Sequence, residues 1–273
     1  MMEAVIVHFP HPGAEHNAKH KIPNYPWNTG KHQRKFMRSK GAYIDKDGDY
    51  IESIVNMWGE WEAPSRVEHE WKKEIDFPTY LHIPYWTRPK FTGSRQNTDP
   101  WIFGEYFLYS NCNQLNQASL RSLPIGSLIL FGSTIRGEFA LDTCLVVKDS
   151  SHMNDGSTDY PEAFSICTIE SLESENISTA PFKVYKGASP KDTTGGMYSF
   201  SPCLPSNTKD GRFKRPIINL PGYINPESTQ TPSGTKVSRQ IGEVGVIWQS
   251  VIEQVRSQGL EIGVHFDMPS FEE

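Results

Sequence analysis

Four of the nine histidines fall within thirteen residues near the N-terminus, in the stretch VIVHFPHPGAEHNAKH. If Glu15 to Lys21 formed a helical turn, His16 and His20 would share a face, as a pair of zinc ligands requires. The neighbouring lysines oppose a cation, whereas the Pro12-Gly13 backbone and protonatable imidazoles favour an anion. A metal site, a phosphate site and a structural loop therefore remain open for this segment.

The positive charge continues behind these histidines. Residues 1–44 contain seven Lys and Arg against two acids, whereas residues 45–76 contain ten acids against four bases. One hypothesis is that the two segments neutralise each other in the folded protein; the other is a basic groove beside an acidic catalytic neighbour. The second hypothesis predicts that the basic loop binds phosphate through five of its residues: His11, His16, Lys31, His32 and Arg34.

The stretch MWGEWEAPS combines two tryptophans with two carboxylates. On an extended chain, Glu60 and Glu62 lie on one side about 6 to 7 Å apart. Mutual repulsion and an indole wall raise carboxyl pKa values, as a general acid or base near neutral pH requires. We therefore expect Glu60 or Glu62 as the acid/base, with His11 or His16 as partner. Trp58 and Trp61 either stack on a base or sugar, or are core residues beside salt-bridged glutamates.

A third set of polar groups lies in NTDPWIFGEYFLYSNCNQ, residues 97–114. Asn97 and Asp99 precede Pro100 in a predicted turn, and Glu105 falls in an aromatic row on the same strand face. Glu105 either pairs with a lysine or arginine or contacts a ligand. We predict all three as ligand-binding residues. Cys112 has no adjacent basic residue in the sequence that would mark it as a nucleophile.

The elements that position these groups are predicted to be mostly strands. The clearest are Glu3 to Phe9, the arms of a hairpin around DKDG from Tyr43 to Trp61, and two strands at 126–133 and 137–149. Shorter strands are expected near Phe164–Ile169, Phe182–Tyr185, Met197–Phe200, Pro216–Leu220 and LEIGVHF. Residues 65–75 are predicted to be a short helix, and NQLNQASLRSLP another. An apolar stripe from Ile241 to Val255 predicts a C-terminal helix, with Ser238 as its cap and Gly259 at its end.

The composition supports a single α+β domain over residues 1–273. We expect a β-rich fold with a curved sheet or partly closed barrel, long loops and a C-terminal helix. Its regions are a basic loop and acidic hairpin (1–98), central strands (99–150) and a loop-rich closing part (151–273). No apolar stretch has the length of a membrane span, and no signal peptide is recognisable, so a cytoplasmic protein with no membrane partner is expected.

Several sequence signatures are absent. The chain has no G-x-G-x-x-G, no P-loop, no G-x-S-x-G and no H-x-E with P-C-x-x-C. Their absence argues against common dinucleotide enzymes, P-loop NTPases, α/β-hydrolases and zinc deaminases. The four cysteines are widely separated, without the paired spacing of structural zinc sites. The cofactor is unknown from the sequence, and no metal ligand is assigned.

Residues 123–149, LPIGSLILFGSTIRGEFALDTCLVVKD, resemble the central strand pair of the PUA-like superfamily, which includes ASCH and EVE domains. The whole chain, with WGEWE and NTDPWIFG, also resembles bacterial and phage proteins of the nucleotide-modification-associated domains. The resemblance implies a small barrel that binds RNA, modified bases or nucleotides, a prokaryotic source, and a link to base modification or phage defence. It transfers no catalytic residue.

The leading hypothesis is a nucleotide or nucleic-acid binding or processing protein. A free nucleotide or a single-stranded nucleic acid is the expected partner, since a net charge of -5 disfavours a long duplex footprint. One alternative is a non-enzymatic binding or interaction module. A second is a metal-dependent hydrolase that uses the N-terminal histidines. The sequence leaves open whether the protein is an enzyme and what its oligomeric state is.

Overall fold

Two mixed β-sheets and one long helix make up the computed structural model of the chain. It describes residues 3–11, 13–16, 33–88, 97–153, 160–174, 177, 179, 181–208, 210–226 and 237–273. The strands are β1 (Glu3–His11), β2 (Lys35–Ile44), β3 (Tyr50–Gly59), β4 (Ser65–Glu70), β5 (Tyr80–Trp86), β6 (Leu108–Tyr109), β7 (Leu128–Ile135), β8 (Glu138–His152), β9 (Lys183–Gly187), β10 (Ser201–Pro205), β11 (Val237–Gln240), β12 (Glu261–Phe266) and β13 (Ser270–Phe271). The helices are α1 (Glu162–Phe164), α2 (Glu170–Ser174) and α3 (Ile241–Ser257), with a 3₁₀ helix at Ala118–Ser122 and a π-helical turn at Ser165–Ile169.

The first sheet has the strand order β11-β1-β7-β8-β9-β6. Its centre is built from the aliphatic runs that the sequence marks as strands, and β1 pairs with β7 in parallel. The register places His11 opposite Ser133, so the carboxyl ends of both strands meet at one edge of the sheet. Ligands of sheets with parallel strands commonly bind at such an edge.

The second sheet is partly ringed. Its order is β12-β10-β3-β2-β5-β13, with β4 on β5, and β12 also pairs with β2, which closes a ring of four strands. Gly41 of β2 makes this closure possible because a Cβ atom there would lie 2.1 Å from the carbonyl oxygen of His265. Strong curvature of the sheet therefore depends on a missing side chain.

The first sheet lies between two hydrophobic clusters. Val5, Val7 and Phe9 face one cluster and Ala4 and Ile6 the other, as expected for a strand buried on both faces. Helix α3 covers the second cluster with its apolar stripe. No helix in the described part of the chain is long and apolar enough to cross a membrane.

Most of the predicted β-rich architecture and its C-terminal helix are present. The hairpin turn forms as expected, with Asp45 Oδ1 accepting from the N–H groups of Asp47 and Asp49. Strands β7, β8, β9 and β12 and the 3₁₀ helix also lie where the sequence predicts them. Gly259 follows α3 with a φ of +77°.

Five local predictions are wrong. Residues 65–70 form β4 instead of a helix, because pairing with β5 overrides the helical spacing of three apolar residues. Phe164 and the segment Ser165–Ile169 are helical instead of extended. The stretches near Met197–Phe200 and Pro216–Leu220 make only isolated bridges. Gln240, not Ser238, precedes α3, and it makes no side-chain cap hydrogen bond.

Candidate functional site

A buried arginine joins the two sheets at the carboxyl ends of β1 and β7. The guanidinium of Arg34 donates to Glu60 Oε2 at 2.8 Å and to Asp142 Oδ2 at 2.6 Å, and the arginine is 1% exposed. Burial by itself would lower the pKa of Arg34, but the two carboxylates raise it overall. Arg34 is thus a permanently charged cross-link between Glu60 of the second sheet and Asp142 of the first.

The local fold explains this convergence. Lys35 at the start of β2 pairs with Gly59 at the end of β3, so Arg34 and Glu60 follow directly at the open end of the hairpin. Asp142 is the extra residue of a β-bulge, since Phe131 pairs with Thr143 while Gly132 pairs with Leu141. Bulges often redirect a side chain towards a site, and this one directs Asp142 to Arg34.

His11 extends the network to a thiol. Arg34 Nη2 lies 2.6 Å from His11 Nδ1, and because a guanidinium only donates, Nδ1 is the acceptor. The proton of the neutral imidazole is therefore on Nε2, which lies 3.4 Å from Cys112 Sγ. Burial, Asp99 and Glu60 raise the pKa of Cys112 well above its usual value, so the group is a thiol at neutral pH.

A second arginine connects the network to a cleft. Arg215 Nη1 lies 3.9 Å from Asp142 Oδ1 and donates to Ser133 Oγ at 2.8 Å, while Nη2 donates to the carbonyl of Gly13. Its guanidinium lies 4.8 Å from the ring centroid of Trp58. Burial is the main cause that lowers the pKa of Arg215, and Arg34 adds to it. Arg215 cannot be selected from the sequence, since nothing in the loop GRFKRP marks one cation above the others.

The cleft beside Arg215 has a volume of about 700 Å³. It is lined by Glu15, His16, Trp58, Lys73, Glu74, Ile75, Asp76, Phe77, Thr79, Tyr80 and Arg215. This volume lies within the range of ligand sites for small molecules. The predicted basic loop and the predicted tryptophan cluster each contribute one residue, His16 and Trp58.

The three acids of the cleft are already bound within the protein. Glu15 Oε1 accepts from the N–H groups of Thr79 and Tyr80 at 2.6 and 2.9 Å. Glu74 pairs with Arg212 at 2.7 Å, and Asp76 pairs with Arg136 at 3.2 Å. Their charge is therefore offset within the protein.

The cations of the cleft are less fully matched. Among the residues that the structure describes, neither Lys73 in the cleft nor Lys214 at its rim has a carboxylate within ion-pair distance. Lys214 Nζ lies 5.0 Å from the ring centroid of Phe77. Lys73 and Lys214 are therefore the cations at the cleft that an anionic ligand can contact without displacing a carboxylate of the described residues.

Three further titratable groups lie buried near the site. Lys35 donates from Nζ to the carbonyl of Ala63 at 2.8 Å, and burial lowers its pKa to about 7, against the opposing effect of Glu62. Burial also lowers the pKa of His82 to about 3, with Lys35 and His16 contributing. Asp99 has a pKa raised to about 7 by burial, although its carboxylate accepts three backbone N–H bonds.

Asp99 and Asn97 organise a loop in this structure. Asp99 binds the N–H groups of residues 110–112, which places Cys112 beside His11, and Asn97 exchanges two side-chain hydrogen bonds with Asn111. Glu105 is exposed in a turn and not on a strand face; it accepts from the hydroxyl of Tyr106.

The remaining predicted site residues lie at different depths. His11, Arg34 and Glu60 come together, but behind the cleft wall. Trp61 is 0% exposed and packs on Trp101 and Phe103 in the opposite core from Trp58, so its indole offers no face to a ligand. Glu62 is half-buried, and its carboxylate acts on Lys35 through charge. Lys31 and His32 lie outside the described residues.

The N-terminal histidines lie in separate environments. His8 and His11 point to opposite faces of β1, where His8 packs on Phe139 and His11 contacts Arg34. Residue 20 lies outside the described part. Over the described ranges, no group of three or more His, Cys, Asp and Glu side chains is arranged to hold a metal ion.

Comparison of the chain with protein-family models, with curated proteins and with solved structures found no match.

Proposed function

We propose that this protein binds a nucleotide in the cleft beside Arg215. The observation that carries the proposal is a buried guanidinium that lines a cleft of about 700 Å³ and stacks on an indole. A permanently charged, planar donor held in this way is well suited to a phosphate group. Lys73 in the cleft and Lys214 at its rim, which have no carboxylate partner among the described residues, favour an anionic ligand for the same reason.

The two ends of the cleft differ in chemistry. Arg215 and His16 lie at the end near the carboxyl edge of β1 and β7, where we place the phosphate. The half-buried rings of Phe77 and Tyr80 supply apolar and aromatic surface, on which we place the base. The arrangement is a small apolar surface with a few polar groups, as in many small-molecule sites.

The resemblance of residues 123–149 to PUA-like domains supports the same ligand class. We retain as part of the proposal that the curved second sheet is a variant of such a barrel, and that the protein acts in the cytoplasm in connection with nucleotides or modified bases. The ring of four strands is compatible with a curved barrel.

Binding is better supported than catalysis. Glu60, expected as an acid/base, is 6% exposed and bound by Arg34, so it is held as a carboxylate away from the cleft. Its geometry suits a residue that holds Arg34 and, through Asp142, fixes the wall on which Arg215 lies. A catalytic role for Glu60, Glu62, His11 or His16 remains a proposal of lower rank than ligand binding.

Calorimetric titration with ribonucleoside and deoxyribonucleoside monophosphates tests the proposal. We expect monophosphates to bind and the matching nucleosides to bind at least tenfold more weakly, because an Arg–phosphate contact is lost. Arg215→Gln and Lys73→Ala both weaken binding, and the exposed Lys73 variant leaves the fold intact. Lys148→Ala is the matched control. It removes an exposed ion pair with Asp192, and Lys148 lies about 20 Å along β8 from Asp142.

Two results would overturn the proposal. One is equal binding of nucleosides and monophosphates, which would remove the role of the cations. The other is unchanged affinity in Lys73→Ala together with a folded Arg215→Gln that binds like the wild type.

A further inference from the structure

Cations and aromatic rings alternate along the surface that leads away from the cleft. Arg212 lies 5.7 Å from the ring centroid of Trp71 and 5.0 Å from that of Phe77, and Lys214 lies 5.0 Å from Phe77. These four residues, which we call the outer row, come from the loop at 212–215 and the segment at 71–77. The row joins the cleft directly, because Phe77 lines the cleft.

The outer row has donors to spare. Lys214 is exposed and has no carboxylate partner in the described ranges. Arg212 donates from Nη2 to Glu74, whereas its Nη1 atom is buried and makes no hydrogen bond to any residue that the structure describes. Because Nη1 of Arg212 is buried, the donor that the outer row offers to a phosphate oxygen is the exposed ammonium group of Lys214.

We propose that the ligand is a single-stranded nucleic acid, with one nucleotide in the cleft and the following phosphates and bases along the outer row. This inference rests on the proposed function and deepens it. Sites for single strands combine a positive groove along the backbone with aromatic side chains for the bases, and the outer row has both components next to the cleft.

The short row and the overall charge disfavour a duplex. Duplex binding that is independent of sequence depends on a broad positive surface. Here the net charge of the chain is -5, and two acids lie beside the rings in the sequence, Glu70 directly before Trp71 and Glu74 between Trp71 and Phe77. The half-buried rings of Trp71 and Phe77 also suit unstacked bases better than the closed stack of a duplex.

The test compares ligands of increasing length by calorimetry. The probes are a mononucleotide, the tetranucleotide and hexanucleotide that contain it, and a hexamer duplex, each at 50 and 200 mM salt. We expect the tetranucleotide to bind at least tenfold more tightly than the mononucleotide and to lose more affinity with salt, because more phosphates are contacted. The duplex should bind more weakly than the single strand.

Two variants locate the contact. Lys214→Ala removes an exposed charge, and Arg212→Lys keeps the charge and the pair with Glu74 while it removes the planar group. Both should weaken tetranucleotide binding about threefold to tenfold and mononucleotide binding by a smaller factor, because Lys214 also lies at the rim of the cleft. Lys46→Ala, in the exposed turn between β2 and β3, is the matched control and should change neither.

The outcomes separate this inference from the proposed function. Equal affinity for mononucleotide and tetranucleotide overturns the outer row as a binding surface but leaves the cleft as a nucleotide site. Duplex binding as tight as single-strand binding, or tetranucleotide binding that is unchanged in both variants, also overturns it. Binding of none of these probes overturns both proposals.

Discussion

Replacing Arg34 with methionine should destabilise the fold strongly. The change leaves Glu60 at 6% and Asp142 at 3% exposed without the cation that both contact. A charge pair about 4 Å apart is worth about 4 kcal/mol at an effective dielectric constant of 20, and much of that gain is offset by desolvation. Removing one partner of a buried pair costs about 3 to 5 kcal/mol, because a charge remains buried without compensation.

The structure provides both a control and a rescue for this experiment. Arg38 pairs with Glu68 at 2.7 Å, with side chains 28% and 42% exposed, and donates to Oδ1 of the buried Asn56 at 3.0 Å, so Arg38→Met should cost about 1 to 2 kcal/mol. The double variant Arg34→Met with Glu60→Gln leaves Asp142 beside Arg215. We expect the double variant to be about 1 to 3 kcal/mol more stable than Arg34→Met alone, because residues 34 and 60 are in contact and their effects on stability are not additive.

Urea unfolding at pH 7, followed by tryptophan fluorescence, measures these differences in the free energy of unfolding. A loss in Arg34→Met no larger than that in Arg38→Met would refute the network as a cross-link between the sheets. A double variant as unstable as Arg34→Met alone would show that uncompensated charge is not the cause. Equal slopes with urea are required for the comparison.

Three other predictions concern stability and reactivity. Burial lowers the pKa of Lys35 from 10.5 to about 7, so stability that is present above pH 10.5 is lost as the pH falls towards 7 and is constant below pH 7. Lys35→Met should flatten this part of the profile of urea midpoint against pH. An unchanged profile would contradict the buried amine. Gly41→Ala should destabilise the fold by several kcal/mol, since the added Cβ atom would meet backbone atoms. Gly245→Ala, where the added Cβ atom meets no neighbour, should stabilise the fold by about 0.5 to 1 kcal/mol. Equal thermal shifts of the two variants would refute the packing argument. Of the four free cysteines, Cys112 should be alkylated first in the folded protein, slowly below pH 9, and faster in Glu60→Gln, which mass spectrometry of the modified peptide can check.

The sequence predicts elements well where the pattern is local. The aliphatic runs of β7 and β8 indicate strands, and the apolar stripe of α3 indicates a helix. All three elements lie where they are expected. The sequence does not indicate strand β2 over most of its length, because RSK in its middle conceals the alternation. The four-residue spacing of apolar residues in 65–75 predicts a helix where β4 forms, because such spacing in a short stretch does not exclude an edge strand. Strand β2 is held by β3 and β12, and β4 by β5, and the residues of a strand do not by themselves identify its partner.

The same limit applies to the site. Arg34 and Glu60 could be selected from the sequence because each lies in a segment of strong charge. Asp142 carries a weaker signal, a carboxylate inside an apolar strand, and its direction depends on the bulge opposite Phe131 and Gly132. Arg215 comes from a loop more than 180 positions along the chain from Arg34, and only the folded chain places it against Trp58.

The sequence raises two hypotheses about charge, and each describes a different part of the molecule: mutual neutralisation describes the buried contact between the sheets, and a basic groove describes the cleft. Arg34 and Glu60 neutralise each other in a closed contact, so the most conspicuous opposite charges of the sequence are used for structure. The cleft obtains its positive charge from Lys73 and Arg215, while its own acids are held by backbone N–H groups or by Arg212 and Arg136. Asp142 links the two parts, because it binds Arg34 and faces Arg215. Changes at Glu60 should therefore alter ligand affinity through the position of Arg215, and a Glu60→Gln variant that keeps full stability should also keep full affinity.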